Sequence, residues 1–550
     1  RVLATASTVL RDGGAGGRCW LLHARCNLAE ANAAQIVISA TVSDQGAELA
    51  RYERRYRLVT PALIASLLSQ LDTQRQLLAV VLDGLGDRIP AVCTLRLRLA
   101  LYDRFSADTR QDCKLGNTDR AWVTYQDLLT MIEDGLREAQ AIKTGALPPP
   151  TPVPSYVTSP ITIAKSSFLA TQRFPDGRLL EQTPTFFTGY GHFAQVRKDI
   201  ELFPSYGINM IQIEQGPRGV VEDDGKINPK PIENLVAVFA RAEKANISIN
   251  LLLSPHYFPD WALKKWPDLA ECQGGFFKYC VHAPEARAII ERYLRAIVPA
   301  LKDSPALHSF CLSNEPLSTK LDQCPHIRAQ WPQWLERRHG SIDQLNQRWH
   351  SAYASFADIP VPKPFPDGAI AYDFVQFNQE TFAAFHQWLA DVIHDMAPAI
   401  PVHAKIMMAA HFNKNPAGIW SVSPELFAQL SQINGNDACN FPRHGHPQWY
   451  NGWQRYEMGY DFQRSMRDLP VFNSENHIIS DRDFSSRWPI HSYSALIQGA
   501  LHGQSATTFW VWERSNDPVS DLAGSILHRP NHVLAVSAAA MDLNRHAPVV

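Results

Sequence analysis

From residue 183 to the carboxyl end, short apolar or β-branched runs alternate with segments whose apolar residues recur at helical spacing. Eight runs stand out, at 185–188, 208–213, 247–253, 307–312, 402–408, 438–441, 471–473 and 507–511. Runs of this kind suit strands buried on both faces, as in a parallel sheet covered by helices. Between them, Phe193, Val196, Ile200 and Phe203 form one apolar stripe. Pro231 and Pro424 sit at the first turns of two further helices, the second behind Ser423 as a cap. The alternation predicts an α/β fold, a (β/α)8 barrel over 183–550, with one long insertion at 317–400 between the fourth and fifth strands. Long loops at a barrel's carboxyl face shape its cleft.

The preceding residues carry a different pattern. The stretch 35–42 and the alternating Thr94-Leu95-Arg96-Leu97-Arg98-Leu99 read as strands, separated by turn signals such as Asp12-Gly13-Gly14, and 122–142 reads as a helix. The expectation is a smaller β-rich accessory domain at 1–150 with a trailing helix. Six prolines within 146–160 force an extended connection, and 151–182 is assigned to a proline-rich linker.

At 550 residues the chain exceeds one ordinary core, which agrees with at least two domains. Its 45% hydrophobic and 19% charged residues are typical of soluble globular proteins, and no apolar run approaches the roughly 18 residues of a membrane span. A net charge of −2 provides no field toward nucleic acid or an anionic membrane, so a neutral ligand fits better. The chain opens on Arg1 without a charged and then apolar leader, so no targeting segment is expected in it. Nine cysteines, without a CxxC pair, form neither a disulfide framework nor a zinc ribbon. Cys272, Cys280 and Cys324 are a minor candidate for a metal cluster, but no metal or other cofactor is expected. Compartment is left open, and a homo-oligomer is compatible with everything above.

The chemistry concentrates at two strand ends. Ser313-Asn314-Glu315-Pro316 follows the fourth apolar run, and Phe472-Asn473-Ser474-Glu475-Asn476 follows the seventh, so both glutamates should project into one catalytic face. Cleaving a glycoside with retention needs two carboxyl groups about 5–5.5 Å apart, one as acid/base and one as nucleophile. Glu315 is expected in the first role and Glu475 in the second, with the Asn314 amide available to a substrate 2-hydroxyl. Tyr190, His192, His256, Asn440 and His444 lie at or just past the ends of the first, third and sixth strands. Each is a candidate sugar contact or a satisfied structural group. Asn476 and His477 either orient the nucleophile or serve the loop, and Glu513 reads as an ion-pair partner at the rim.

These motifs resemble glycoside hydrolase clan A, in which an Asn-Glu pair ends strand four and a glutamate ends strand seven. More narrowly, the chain resembles family 42, the β-galactosidases. The resemblance rests on Ser254-Pro255-His256-Tyr257-Phe258-Pro259-Asp260-Trp261, on Lys265-Trp266-Pro267-Asp268, and on the insertion segment from Gly340 to Trp349. It implies a retaining β-galactosidase-like enzyme of carbohydrate metabolism, acting on an oligo- or polysaccharide, with Trp510 or Trp512 as the floor of a sugar subsite. Two alternatives stay open: a hydrolase of another β-linked saccharide, such as a mannoside, a glucoside or an agar-type polymer, and an inactive saccharide-binding barrel.

Overall fold

The computed structural model describes residues 35–44, 47–57, 59–271, 274–318, 324–362, 368–408, 421–439, 454–479, 488–515, 522 and 525–548. Strands β1 (Gln35–Asp44) and β2 (Ala47–Arg57) pair as an antiparallel hairpin. Three long helices follow, α1 (Pro61–Leu85), α2 (Thr94–Leu115) and α3 (Thr118–Thr144). The β-rich reading therefore fails for 61–115, where α1 and α2 lie, while the helix expected at 122–142 falls within α3. Thr60 Oγ1 accepts from the Leu63 amide at 3.2 Å to cap α1, and Pro61 opens its first turn. Gly116 and Gly145, at φ of 79° and 80°, end α2 and α3 in the left-handed conformation that glycine adopts without strain. The alternating stretch at 94–99 opens α2 because Leu97, Leu101, Phe105 and Thr109, each four apart, make its buried face. Six residues are too few to reveal that period.

Residues 148–154 have no regular structure, as their prolines dictate. The expected linker is otherwise a folded element, the antiparallel sheet of β3 (Ser155–Ala164), β4 (Ser167–Arg173) and β5 (Leu179–Pro184). Its Tyr156, Ile161, Phe168 and Ala170 bury against Phe187, Met210, Phe472 and Ala506, and so close the amino end of the barrel.

All eight expected strands are present: β6 (Phe187–His192), β7 (Met210–Glu214), β8 (Ser248–Leu252), β9 (Leu307–Asn314), β10 (Val402–Met407), β11 (Asn434–Cys439), β12 (Val471–His477) and β13 (Gln504–Phe509). They are parallel throughout and close on themselves through β13 and β6. Outside lie α4 (Pro229–Ala245), α5 (Pro284–Leu301), then the insertion helices α6 (Pro325–His339), α7 (Ile342–Trp349) and α8 (Ala369–Met396). Helices α9 (Pro424–Leu430), α10 (Gln454–Met466), α11 (Pro489–Leu501) and α12 (Pro530–His546) complete the ring. Ser423 Oγ caps α9 by accepting from the Leu426 amide at 3.4 Å, as its sequence position predicts. Helices α2 and α3 rest on α12, and one continuous apolar cluster joins Leu101 and Phe105 to Val533 and Val536. The amino-terminal helices and the barrel thus share a core.

Candidate active site

The register of the barrel puts the reactive groups in one layer at the carboxyl ends of the strands. Lys405 on β10 pairs with Asn314 on β9, and Asp437 on β11 pairs with Glu475 on β12. Glu315 follows β9 at a φ of 39°, and Ser254, just past β8, has a φ of 44°. Left-handed backbone at residues other than glycine costs about 1–3 kcal/mol and gathers where function needs a particular aim. Here it turns the chain sharply at two neighbouring strand ends.

Glu475 is buried, yet it is the group best held as an anion. Burial alone would raise its pKa, but the Lys405 ammonium, 2.6 Å from Oε2, and His477 Nε2, 3.4 Å from Oε1, hold it well below the usual carboxylate range. Glu315 is shifted the other way: burial raises its pKa, and the negative charge of Glu475 raises it further. Asp437 also rises well above an ordinary aspartate, from burial and then from Glu475. Two glutamates whose pKa values are pushed in opposite directions are the arrangement that suits one to donate a proton and the other to stay ionised.

Neutral polar groups surround the pair. Asn314 Nδ2 lies 3.5 Å from Glu315 Oε1, and Asn314 Oδ1 has no partner among the described residues. Burial, followed by the charge of Lys405, pushes the His192 imidazole down to about 3 and that of His256 down to about 4, so both are uncharged near neutrality. His256 Nδ1 is likewise unpartnered among the described residues. Glu214, which ends β7, accepts from Ser254 Oγ at 3.0 Å and from the Tyr257 hydroxyl at 3.2 Å. A cavity of about 450 Å³ opens between His192, Phe193, Arg197, Glu214, Arg218 and Tyr257.

Of the expected site residues, Glu315, Glu475, Asn314, His192 and His256 come together. Trp510 joins them, its ring centroid 4.7 Å from His192 and 5.9 Å from His477. Tyr190 and Trp512 do not. Trp512 is fully buried, donates from Nε1 to Asp199 Oδ2 at 2.7 Å, and packs against Tyr190 at 4.4 Å and Phe203 at 5.3 Å. Both rings fill the layer outside the barrel, because β13 ends at Phe509 and its two-residue alternation does not extend to the tryptophan pair. Asn440 and His444 lie outside the described residues. Glu513 Oε2 accepts from the Gln195 amide at 3.0 Å, and no ion pair of Glu513 is seen among the described residues.

Sequence reasoning missed Lys405, Asp437 and Glu214. The available signal was a lone lysine inside the apolar run Val402-His403-Ala404-Lys405-Ile406-Met407. Asp437, Glu475 and His477 bring carboxylate and imidazole atoms within 4.8 Å of one another, a spacing that suits a metal ion. Lys405 already supplies the positive charge there, so the group reads as an ion-pair cluster. Cys280 and Cys324 place their sulfurs 3.4 Å apart, and Cys272 lies outside the described residues.

The family model described as β-galactosidase, glycoside hydrolase family 42, matches residues 191–529 and so spans the barrel from β6 to the start of α12. The chain belongs to glycoside hydrolase family 42. A β-galactosidase of Geobacillus kaustophilus is 22% identical over 359 residues, which are 60% of this chain and 50% of that protein. A β-galactosidase of Thermus thermophilus is 24% identical over 216 residues, 34% of this chain and 33% of its own. The chain thus spans at most about half the length of these relatives. Among solved structures, a family 42 exo-carrageenase from Bacteroides ovatus superposes with a TM-score of 0.71 at 22% identity, covering 88% of this chain and 69% of that one. The β-galactosidase of Rahnella sp. R3 gives 0.54 at 18% identity, covering 66% and 57%. The first match takes in more than the barrel alone would fill.

Proposed function

We propose that this family 42 chain is a retaining β-glycoside hydrolase of the β-galactosidase type. The placement of Glu315 and Glu475 at the ends of β9 and β12, with their pKa values pushed in opposite directions, carries the reading. In the first step a Glu475 oxygen attacks the anomeric carbon and the bond to the leaving oxygen breaks, while Glu315 gives that oxygen its proton. In the second step water attacks the glycosyl ester, Glu315 takes the water's proton, and Glu475 is released as carboxylate. Asn314, His192 and His256 bind sugar hydroxyls, and Trp510 lies beneath an apolar ring face. These roles require no cofactor.

The substrate is a β-galactoside by family, as part of an oligo- or polysaccharide. One observation favours a second reading. The exo-carrageenase fold extends over the amino-terminal residues that the β-galactosidase matches leave uncovered, which supports removal of end sugars from a polymer. Assays on aryl β-galactosides, β-glucosides, β-mannosides and galactan polymers separate these readings. Glu475→Gln should abolish turnover of every substrate. Glu315→Gln should lose turnover of poor leaving groups far more than of dinitrophenolates, whose departure needs little protonation. Sugar binding by the wild type without cleavage of any of these substrates would leave a binding barrel instead.

A further inference from the structure

The barrel interior contains a buried cation that the double-displacement scheme does not use. Lys405 is wholly inaccessible, and its ammonium has two donors engaged: one to Glu475 Oε2 at 2.6 Å and one to Gln212 Oε1 at 2.9 Å. Gln212 is fixed in turn, donating from Nε2 to Asn250 Oδ1 at 2.7 Å. Asn250 donates to Ser309 Oγ at 2.8 Å and lies 3.0 Å from His403 Nε2. The chain of contacts crosses β10, β7, β8 and β9, so the lysine is anchored from the wall opposite the carboxylate. An apolar side chain of similar length would pack here at less desolvation cost. Filling space therefore does not explain an ammonium at this position.

Resting on the function proposed above, we infer that Lys405 is a positioning residue for the nucleophile. It pins Oε2 of Glu475 through the buried ion pair and leaves Oε1 as the oxygen that attacks. It also favours Glu475 over its neighbours as the anion, at the closer of the two cationic contacts on that carboxylate. Glu315, Asp437 and Glu475 interact electrostatically within one cavity, and like charges that close are not all ionised at once. Lys405, bonded to Glu475 Oε2 at 2.6 Å, acts with His477, 3.4 Å from Oε1, so the charge settles on Glu475 and the proton on the Glu315 side. The other titratable groups facing the pair are Cys311 on β9, Glu214 on β7, His477 on β12, and His192 and His256 at the rim. The Cys311 thiol is pushed up to about 12 by burial, and His192 and His256 are neutral, so none of these three replaces the lysine's charge near neutrality.

The test is the pH dependence of kcat/KM on an aryl β-galactoside, measured with the full chain as wild type, Lys405→Met, Lys405→Arg and Gln212→Leu. In Lys405→Met the acid limb should move up by about one pH unit or more and kcat should fall about 100-fold. The alkaline limb should rise by less, because the lost charge also lowered the pKa of Glu315. Lys405→Arg should recover at least about a tenth of the lost rate and return the acid limb toward wild type. Gln212→Leu, which keeps the ion pair but frees the lysine, should move the limb in the same direction by a smaller amount. A folded Lys405→Met enzyme with an unmoved acid limb and kcat within about threefold of wild type overturns the inference. If that variant does not fold, an unmoved limb in Gln212→Leu does so. Trapping with a 2-deoxy-2-fluoro-galactoside, with the labelled peptide located by mass, separates the two proposals. A label on Glu475 with no effect at Lys405 refutes only the positioning role, whereas wild-type turnover by Glu475→Gln refutes the nucleophile itself.

Discussion

Arg514 Nη2 donates to Asp112 Oδ2 at 2.7 Å, tying the segment after the last barrel strand to helix α2. Arg120 Nε donates to the same oxygen at 3.0 Å, and both Asp112 and Arg120 are buried. One carboxylate therefore balances two guanidinium groups at the seam between the amino-terminal helices and the barrel. Asp112→Ala would leave buried Arg120 without this counter-ion and Arg514 with only Asp108, 3.5 Å from its Nε, a loss of about 3–5 kcal/mol. A urea unfolding midpoint should register that loss, and a change below about 1 kcal/mol would mean that the seam is wet or dispensable.

The two tryptophans near the end of β13 should separate stability from activity. Trp512 lies in the core with its indole donating to Asp199, so Trp512→Ala should cost about 3–5 kcal/mol and lower the melting temperature markedly. Trp510 faces His192 and His477, and Trp510→Ala should leave melting nearly unchanged while kcat/KM on a β-galactoside falls about tenfold, or 1.4 kcal/mol. Thermal scans and steady-state kinetics on the same preparations decide it, and the reverse pattern would exchange the two roles.

Glu315 and Glu475 were readable because barrel chemistry sits at strand ends and each follows an unmistakable apolar run. Lys405 was not, since a charge inside such a run looks like a break in the pattern until the barrel shows what it faces. Asp437 fell just ahead of the strand expected at 438–441, whereas β11 begins at Asn434. A shift of that size in a strand boundary is enough to hide a site residue. The helices at 61–115 were obscured differently. The leucines and arginines of 94–99 alternate over one short window, and only Leu101 and Phe105, further along, restore the helical period. The dense prolines of 148–154 drew 155–184 into the linker and concealed a sheet whose Asp176-Gly177 turn was visible in the residues.

Barrel closure itself can be challenged at Gly189. A Cβ built on this residue of β6 would lie 1.7 Å from the Met210 carbonyl oxygen on β7, a backbone atom that cannot move without separating the strands. Gly189→Ala should therefore cost more than the protein's marginal stability and yield little folded material. Soluble yield and near-ultraviolet circular dichroism check this. A variant with wild-type spectra and melting would show that the first two strands are less tightly apposed than described.

The shifts of the two glutamates set the sign and width of the pH profile. In the proposed mechanism Glu475 must be ionised to attack, and its pKa is held well below the ordinary value near 4.3, so activity should persist at acid pH until that carboxylate protonates or the fold fails. Glu315, as the proposed acid, must be protonated to assist departure, and its pKa is raised by burial and by Glu475, so the alkaline limb should fall above the usual glutamate range. Protonation of His192 and His256, pushed to about 3 and about 4, contributes no limb near neutrality. The profile of kcat/KM should thus be a broad bell whose descending side follows Glu315. Glu315→Ala, assayed with a dinitrophenyl β-galactoside, removes that group while leaving a substrate that needs no proton, and its alkaline limb should vanish. If the limb survives with its midpoint unchanged, some other residue delivers the proton. Asp437, which also carries a raised pKa in the same cavity, would then be the group to substitute next.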